Sequence, residues 1–365
     1  MTASAVRPEP GRRRRLRERL REARLDGLLV SRAADIRYLS GFAGSSGLLL
    51  VEPGLATLIT DFRYEEQARD EAAPDVRLEI SSDGLFDAVG ARLAEESPGR
   101  RIGFQAGALT VQDRQELEER AATVLWEPAG PLVEEQRAVK DPNEIGHIAE
   151  AAGLAERALA ATLPLVREGM TERDLAAELE YRLRREGSGP LPFDPIVAAG
   201  ARSALPHARP GGNRLRENDL LLLDFGAARS GYCCDLTRVF VLGAAAEWQQ
   251  RTHAAVREAC ERAIAAAGPG VAARDVDAAA REHLSSLGLG ERFGHGTGHG
   301  IGLEVHEEPR IHRRATGTLA PGNVVTIEPG VYLPGRGGIR LEQDVVIERG
   351  GVRVLTGSSI ELMEL

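Results

Sequence analysis

Histidine and glycine are concentrated in the stretch Gly294-His295-Gly296-Thr297-Gly298-His299-Gly300-Ile301-Gly302-Leu303-Glu304-Val305-His306-Glu307. It contains three of the eight histidines of the chain, spaced among five glycines. Glycine has no Cβ atom, so this backbone can turn sharply and bring imidazoles close to a bulky group. Neutral imidazole is a common metal ligand, which makes His295, His299 and His306 candidates for a metal site. A glycine-rich turn with incidental histidines is the alternative, and carboxylates elsewhere in the chain must decide between the two.

The composition is that of an ordinary globular protein. Of the 365 residues, 42% are hydrophobic and 28% are charged, and this length allows two domains or one large one. The net charge of −9 gives no support to a nucleic-acid partner. The longest run of large aliphatic residues, 220–223, is far too short to span a membrane. Cys233, Cys234 and Cys260 form no disulfide framework and suit a reducing cytoplasm, and Cys233 and Cys234 are expected to pack against their neighbours.

The first part of the chain, from about residue 16 to residue 134, alternates between short strands and helices. The predicted strands are 27–31, 47–51, 56–60, 76–80 and 101–104, and the predicted helices are 63–71, 85–95 and 111–121. This alternation predicts an α/β domain. The preceding arginine-rich stretch 12–24 carries Leu16 and Leu20 on one face. It is predicted to be a solvated helix, with an RNA- or membrane-binding arm as the alternative.

Residues 126–142 are rich in proline, glycine and charged side chains, which predicts a domain junction at about residues 130 to 140. We place the domains at residues 1–134 and 135–365. Behind Asp141, Pro142 occupies the first turn of a predicted helix that runs to about residue 163. Further helices are predicted at 171–186, 245–267 and 271–287, with strands between them.

Two aspartates, Asp224 and Asp235, lie within a predicted β-hairpin between residues 219 and 242. If Arg229-Ser230 is its turn, Asp224 faces Asp235, and if the turn shifts by one residue, Asp224 faces Thr237. In both registers the two aspartates project from one face, about 5 Å apart or on a near diagonal. Two anions in apolar surroundings repel each other and lose hydration. A cation between them removes the difficulty.

Two glutamates lie on later apolar strands. Glu328 ends the predicted strand 324–328 before Pro329, and Glu342 lies within the predicted strand 339–347. A turn-edge acid and the polar face of an edge strand are the alternative interpretations. The complete set of candidate ligands is Asp224, Asp235, His299, Glu328 and Glu342. Four carboxylates and one imidazole suit Mn²⁺, Co²⁺ or Zn²⁺, and five ligands suit two ions that share carboxylates.

These motifs resemble the aminopeptidase P/prolidase branch of the pita-bread metallopeptidases. The resemblance rests on Asp224-Phe-Gly, Asp235-Leu-Thr-Arg, His295-Gly-x-Gly-His299 through His306, Ile327-Glu328-Pro-Gly and Arg340-Leu-Glu342. Tyr38-Leu-Ser-Gly41-Phe42 and Thr60-Asp-Phe-Arg-Tyr64 are similar to the creatinase-type first domain of that branch. The resemblance implies an α/β fold: a creatinase-like N-terminal α/β domain followed by a pita-bread catalytic domain of α+β character.

The resemblance also implies a role for each candidate residue. Asp224 would chelate one of two divalent ions, Asp235 and Glu342 would bridge both, and His299 and Glu328 would complete the coordination. The residues expected to hold the substrate and the tetrahedral intermediate are His207, His295 and His306. Glu328 would shuttle a proton to the leaving nitrogen, and Arg340 would hold the ligand network. One departure is Gln343, which stands where an acid commonly follows the last ligand glutamate, with Asp344 one place later.

The implied function is hydrolysis of the bond between an N-terminal residue and proline by an Xaa-Pro aminopeptidase. We expect a cytoplasmic homodimer with two ions, of which Mn²⁺ is the first choice, and no nucleic-acid or membrane partner. A strict Xaa-Pro dipeptidase and a non-catalytic peptide-binding protein of the same fold are the alternatives. A dipeptidase must bind the carboxylate of proline, and none of Arg37, Arg63, Arg202 and Arg336 lies in a sequence context that fixes it at the site. The other histidines, His147, His253, His283 and His312, are expected at the surface.

Overall fold

The computed structural model describes residue 9, residues 11–94 and residues 98–365. The chain divides into two compact units, Met1–Arg137 and Ala138–Leu365. The boundary between residues 134 and 135 stays a prediction. Among the described residues, none of the helices has the combined length and hydrophobicity of a membrane-spanning segment.

The first unit is built on a six-stranded sheet with the order β4-β3-β2-β1-β5-β6. Its strands are β1 (Gly27–Val30), β2 (Leu48–Val51), β3 (Ala56–Asp61), β4 (Arg77–Ser81), β5 (Arg101–Gln105) and β6 (Leu125–Ala129). β1, β2 and β3 pair antiparallel, whereas β4, β5 and β6 each run parallel to their inner neighbour. Most of β6 lies in the stretch 126–142 that was predicted to contain the domain junction. Pro128 has no N–H to donate, and it is tolerated here because β6 is an edge strand.

The helices of this unit are α1 (Gly11–Glu22), α2 (Ala33–Ser40), α3 (Glu65–Glu71), α4 (Leu85–Ala94), α5 (Val111–Arg120) and α6 (Glu134–Arg137). The predicted end of α4 at Glu95 lies outside the described residues. The sequence analysis missed α2, a helix of eight residues in which Ile36, Tyr38 and Leu39 are buried.

The prediction of a solvated α1 is wrong for one face of the helix. Arg12 and Arg13 are buried together with Leu16 and Leu20. The Arg12 guanidinium lies 4.1 Å from the centroid of the Tyr38 ring. Arg13 donates to Asp75 and to the carbonyl oxygen of Leu39. These two arginines therefore belong to the core of the unit, because long cationic side chains bury their stems and pair their charged ends.

The second unit contains a four-stranded sheet, β19-β11-β8-β7, a five-stranded sheet, β13-β12-β14-β17-β18, and the two-stranded pairs β10-β9 and β15-β16. The strands are β7 (Ile196–Ala199), β8 (Leu220–Phe225), β9 (Ala228–Arg229), β10 (Tyr232–Cys233), β11 (Leu236–Val241), β12 (Gly298–Gly300), β13 (Glu307–Ile311), β14 (Val324–Ile327), β15 (Gly330–Leu333), β16 (Gly337–Arg340), β17 (Gln343–Glu348), β18 (Gly351–Val354) and β19 (Met363–Glu364). The long helices are α7 (Pro142–Thr162), α8 (Glu172–Arg185), α9 (Glu247–Ala266) and α10 (Ala273–Ser286).

The helices begin where side chains can cap them. Asp141 accepts hydrogen bonds from the backbone N–H groups of Asn143 and Glu144, and Pro142 occupies the first turn of α7. Thr171 forms a capping box with Asp174 at the start of α8. Both helix starts agree with the sequence signals, since cap side chains satisfy N–H groups that the helix itself leaves unpaired.

Alternate residues of β8 enter two different cores. Leu221, Leu223 and Phe225 pack with α7 and α8, whereas Leu220 and Leu222 pack with α9 and α10 and with the strands of the five-stranded sheet. Successive side chains of a strand point to opposite faces. Asp224 therefore shares the face of Leu220 and Leu222, and it is directed toward the second of these cores.

Candidate metal centre

The hairpin fixes the relation between the two aspartates. β8 and β11 pair Asp224 with Thr237, which is the second of the two predicted registers. Arg229 pairs with Tyr232, so Arg229-Ser230 is not the turn. The turn is Ser230-Gly231, whose φ angles of 52° and 82° are those of a type I′ turn. Asp235 precedes Thr237 by two positions, which places it on the side of the hairpin that also carries Asp224.

His299 lies in the middle of a short strand and not in a loop. Strand β12 is paired with β13 on one side and with β14 on the other. A Cβ atom on Gly298 would collide with the carbonyl oxygen of Thr326, and one on Gly300 would collide with that of Glu308. The glycines that flank His299 are therefore needed because neighbouring strands approach closely. This close packing leaves the His299 side chain buried.

The two glutamates lie where strands end. Glu328 follows β14 directly, and Glu342 lies between β16 and β17, so the predicted strand 339–347 is interrupted at this residue. Thr237 Oγ1 donates to Glu342 Oε2 at 2.6 Å. Glu342 Oε1 is buried and has no hydrogen-bond partner in the described part of the chain. One buried carboxylate oxygen is thus left to receive a ligand.

The candidate ligands come together in one buried cluster. Asp235, His299 and Glu342 each offer a ligand atom within 4.8 Å of the others. His299 Nε2 lies 3.3 Å from Glu328 Oε1 and 3.9 Å from Asp235 Oδ2. Asp224 joins the cluster through Arg340, which donates to Asp224 Oδ2, and its charge acts on Asp235 and Glu342.

The electrostatics of this cluster favour a cation. Burial, and next the charges of neighbouring carboxylates, raise the pKa of Asp235 and of Glu342 well above their usual values. Burial also raises the pKa of Asp224, against the effect of Arg340. Burial alone would raise the pKa of Glu328 too, but the hydrogen bond from His299 and the charges of His299, His295 and Arg340 together outweigh it and lower that pKa. Buried carboxylates that repel one another and leave an oxygen unpartnered are the donor set that suits divalent ions.

Three outer histidines lie around the cluster: His207, His295 and His306. The His306 ring centroid is 4.4 Å from that of His299, and His306 and His207 are exposed. The charge of His207 acts on Asp224 and on His306. His295 Nε2 lies 2.9 Å from the hydroxyl oxygen of Tyr332. All three are thus near the cluster, and the roles that the sequence analysis gives them stay predictions.

Tyr332 is one residue that the sequence analysis missed. Arg340 Nη1 donates to its hydroxyl oxygen at 2.7 Å, and Arg340 Nε donates to Thr237 Oγ1 at 3.2 Å. Burial raises the pKa of Tyr332 to about 12, so it stays a neutral phenol. Arg340 therefore lies between Asp224, Thr237 and Tyr332, and Tyr332 extends this network to His295. Nothing in the single sequence marks Tyr332, because its position depends on the β15-β16 hairpin.

Arg310 is a second residue that the sequence analysis missed. It lies in β13 and is exposed. The pKa of His306 is lowered by burial first, by the charge of His299 second and by the charge of Arg310 third. Two of the four arginines named above as possible carboxylate clamps contact other groups. Arg202 donates to Glu172, and the Arg336 guanidinium lies 4.5 Å from the centroid of the Trp248 ring. Arg310 is thus an exposed cation beside the outer histidines.

The departure at Gln343 has a local explanation. Gln343 Oε1 accepts hydrogen bonds from Arg238 and from Thr356. The next residue, Asp344, accepts from the backbone N–H of Asp235 at 3.1 Å. Burial raises the pKa of Asp344 to about 7. An acid still contacts the ligand segment at Asp235, one position later than expected.

The remaining side-chain predictions have mixed outcomes. All three cysteines are free, as expected, and all three are buried. The prediction of surface histidines is wrong for His253, which is buried in α9, and His147, His283 and His312 are half-buried. His253 lies on the inner face of an amphipathic helix, where the pattern of neighbouring alanines gives little sign of which side faces the core.

Comparisons with known proteins agree with this architecture. Residues 12–139 match the creatinase/prolidase N-terminal domain, and residues 146–349 match metallopeptidase family M24. The chain is 33% identical to an Xaa-Pro dipeptidase of Pyrococcus horikoshii, over 93% of this chain and 95% of that protein.

Two solved structures are similar over nearly the whole chain. An Xaa-Pro dipeptidase from Bacillus anthracis has a TM-score of 0.93 and 37% identity, with 97% of this chain and 99% of that chain covered. An X-Pro aminopeptidase from Thermotoga maritima has a TM-score of 0.88 and 36% identity, with 94% and 100% covered. These matches confirm the predicted fold class, a creatinase-type N-terminal domain followed by a pita-bread domain. The chain belongs to metallopeptidase family M24.

Proposed function

We propose that this metallopeptidase hydrolyses the peptide bond between an N-terminal residue and proline. The observation that carries the proposal is the buried cluster of Asp235, His299 and Glu342, with Glu328 and Asp224 beside it. It is supported by similarity over nearly the full chain to proteins named Xaa-Pro dipeptidase and X-Pro aminopeptidase.

The five candidate ligands would hold two divalent ions, with Asp235 and Glu342 between them. Such ions, of which Mn²⁺ is our first choice and Co²⁺ and Zn²⁺ the alternatives, would acidify water and polarise the scissile carbonyl. Thr237 and Arg340 would orient the ligands, because Thr237 donates to Glu342 and Arg340 donates to Asp224. Side chains that orient ligands in this way strengthen metal binding.

The outer residues would act on the substrate. His207 and His306, exposed beside the cluster, would donate hydrogen bonds to the oxygen that gains negative charge. His295, held by Tyr332, would bind the substrate beside them. Glu328, whose Oε1 lies 3.3 Å from His299 Nε2, would take a proton from the attacking water and pass it to the leaving nitrogen. Arg340 would keep Asp224 in place during these steps.

The length of the substrate is the open part of the proposal. The sequence favours an aminopeptidase, since it marks no arginine as a clamp for the carboxylate of proline. One structural observation favours a dipeptidase: Arg310 is an exposed cation whose charge reaches His306. Arginine binds carboxylates with two parallel hydrogen bonds. We therefore retain Xaa-Pro hydrolysis as the conclusion and leave its two forms to one kinetic comparison.

That comparison is kcat/KM for Ala-Pro against Ala-Pro-Ala-Ala, with Ala-Ala as the control peptide. Xaa-Pro hydrolysis predicts cleavage of at least one proline peptide, loss of cleavage with a chelator, and no cleavage of Ala-Ala. Preference for the dipeptide above about 100-fold, or roughly 2.7 kcal/mol, identifies a dipeptidase. In that case Arg310→Met should remove the preference for the dipeptide. The control Arg353→Met, which replaces an arginine of an exposed ion pair, should retain it. If the enzyme cleaves neither of the two proline peptides, this result contradicts the proposal.

Three finer assignments complete the proposal. We propose two Mn²⁺ ions per chain, a homodimer, and a cytoplasmic location, which suits the three free cysteines. Elemental analysis of protein purified without chelator measures the metal, light scattering measures the oligomer, and cell fractionation measures the location. A single ion, a monomer or a secreted protein would each overturn the corresponding assignment alone.

A further inference from the structure

The three outer histidines share a feature that the proposed reaction does not use. Each lies on a segment outside the regular strands, and each segment is fastened by a buried carboxylate that is paired with a cation. We propose that these three ion pairs are positioning devices, one for each histidine: Glu172–Arg202 for His207, Asp277–Arg281 for His295, and Glu307–Lys140 for His306. The inference rests on the proposed function, because it assumes that the histidines act on the substrate.

Glu172 holds the segment that carries His207. This carboxylate lies at the first turn of α8 and is completely buried. Its Oε1 accepts from the backbone N–H of Ala199 at 3.0 Å and from Asn213 Nδ2 at 3.0 Å. Its Oε2 accepts from the backbone N–H of Gly211 at 3.2 Å. One carboxylate thus holds both ends of the segment 199–213, which has His207 at its middle.

Arg202 completes this arrangement from within the same segment. Its Nε lies 3.0 Å from both oxygens of Glu172, and its Nη2 donates to the carbonyl oxygen of Arg209 at 2.8 Å. The segment is therefore closed around His207 by charged hydrogen bonds on both sides. His207 itself is exposed, so core packing does not determine its position.

Asp277 and Arg281 hold the segment that carries His295. They form two parallel hydrogen bonds of 2.8 and 2.9 Å on α10, and Asp277 is buried. Arg281 also donates to the carbonyl oxygens of Phe293 and His295, both at 2.8 Å. Asp277 Oδ1 accepts from the backbone N–H of Thr297 at 3.1 Å. The pair therefore fixes the backbone on both sides of His295 and at His295 itself.

Glu307 holds the segment that leads into His306. Its Oε2 accepts from Lys140 Nζ at 3.0 Å, and both side chains are buried. Its Oε1 accepts from the backbone N–H of Glu304 at 3.1 Å. A Cβ atom on Gly302 would collide with this carboxylate, so the segment folds directly over Glu307. His306 lies between the two points of attachment.

The physical reason for charged anchors is specificity of geometry. A buried ion pair adds little net stability, because loss of hydration offsets much of the attraction, but a carboxylate that accepts two or more directed hydrogen bonds permits few alternative arrangements. Oxyanion donors act only when they are placed to within a fraction of an ångström before the reaction. Anchored segments let histidines that lie outside the regular strands meet this requirement.

The kinetic test is a set of double-mutant cycles on the metal-loaded enzyme. Glu172→Gln, Asp277→Asn and Glu307→Gln are each combined with alanine at each of the three histidines. Each anchor variant alone should lower kcat for the proline peptide by about 10-fold or more, the range for residues that orient an active group, with KM and metal content nearly unchanged. The decrease in kcat caused by each anchor variant should disappear only in the background in which the histidine it positions has already been replaced by alanine.

An equal effect of an anchor variant in all three histidine backgrounds would show a merely structural role and overturn the inference. Matched controls are Glu178→Gln on α8, Asp275→Asn on α10 and Glu348→Gln on β17, which lie in more exposed ion pairs and should leave kcat unchanged. If an anchor variant does not fold, Arg202→Lys, Arg281→Lys and Lys140→Arg retain the charge, alter the geometry, and should reproduce the same pairwise pattern.

A second readout does not depend on activity. The chain has eight histidines, so NMR signals of labelled imidazoles in the metal-free protein can be assigned from the alanine variants. Glu172→Gln should shift the signal of His207, Asp277→Asn that of His295, and Glu307→Gln that of His306 and its neighbour His299. Unmoved signals, or shifts shared by all histidines, would overturn the inference. Failure of the proposed function appears differently, as a wild-type protein that cleaves no Xaa-Pro peptide.

Discussion

The carboxylates of the candidate metal centre and the histidines around it are held in different ways. Asp224 lies on a paired strand, and Asp235 and Glu342 lie directly beside paired strands, so strand register fixes their positions. His207, His295 and His306 lie on irregular segments, each held by a buried carboxylate that is paired with a cation. The difference indicates that the candidate ligand positions follow from the fold itself, whereas the proposed substrate-facing positions need separate fastening. Substitutions in the two regions should therefore fail in different ways.

The largest effect is expected from Glu342→Ala, which tests the carboxylate region. The variant removes a buried candidate ligand whose Oε1 has no hydrogen-bond partner among the described residues. We expect loss of at least one ion per chain and of essentially all peptidase activity, because the remaining carboxylates no longer complete a site for two ions. Elemental analysis and peptide hydrolysis measure both quantities. Unchanged metal content and activity would contradict the assignment of this ligand.

The next effect is expected from His207→Ala and His306→Ala, which test the histidine region. Each variant should keep its metal and lose roughly 10²-fold or more in kcat, the scale for removing one oxyanion donor. His147→Ala on α7, where the imidazole lies beside Glu150, serves as the control and should keep wild-type kcat. If metal affinity falls while kcat of the loaded enzyme stays near wild type, these histidines are ligands and the distinction between the regions fails.

A smaller effect is expected from Thr237→Val, which sharpens the comparison within the carboxylate region. Valine has nearly the shape of threonine but removes the hydroxyl that donates to Glu342 and accepts from Arg340. Loss of such an orienting contact costs about 10- to 100-fold in metal affinity. Thr252→Val is the matched control, since Thr252 donates to a carbonyl oxygen within α9. Metal affinity equal to that of the control would show that register alone orients Glu342.

The same contrast explains what could be predicted from the sequence. Two apolar runs joined by a short turn are visible in the sequence around Asp224 and Asp235, and the two-residue period of strands then places both aspartates on one face. The anchors could not be predicted in this way. Glu172 binds partners 27 and 41 residues away, and Lys140 binds Glu307 across 167 residues. Such contacts depend on how whole elements pack, as do those of Tyr332 and Arg310, and no periodic pattern records them.

The smallest effect is expected outside both regions, at His253 on α9, where the sequence predicted a surface residue. Burial lowers the pKa of His253 from 6.5 to about 4, with Arg257 adding to the shift and Glu361 and the backbone of Ile360 opposing it. Its Nε2 atom is buried without a hydrogen-bond partner in the described part of the chain. The imidazole is therefore neutral in the folded protein at pH values where it is protonated in the unfolded chain.

The sign of the pH dependence follows from this difference. Between pH 6.5 and about pH 4 the unfolded chain binds more protons than the folded one, so the free energy of unfolding decreases as the pH falls. At pH 5 the loss is about 2 kcal/mol relative to neutral pH, from about 1.36 kcal/mol per pKa unit. His253→Phe removes the titrating group, so its free energy of unfolding in urea should fall less between pH 7 and pH 5 than that of the wild type. Comparison of each protein with itself at the two pH values cancels the change in packing, which affects both measurements equally. Equal decreases in the two proteins would mean that His253 is hydrated in the folded state and contributes nothing to acid sensitivity.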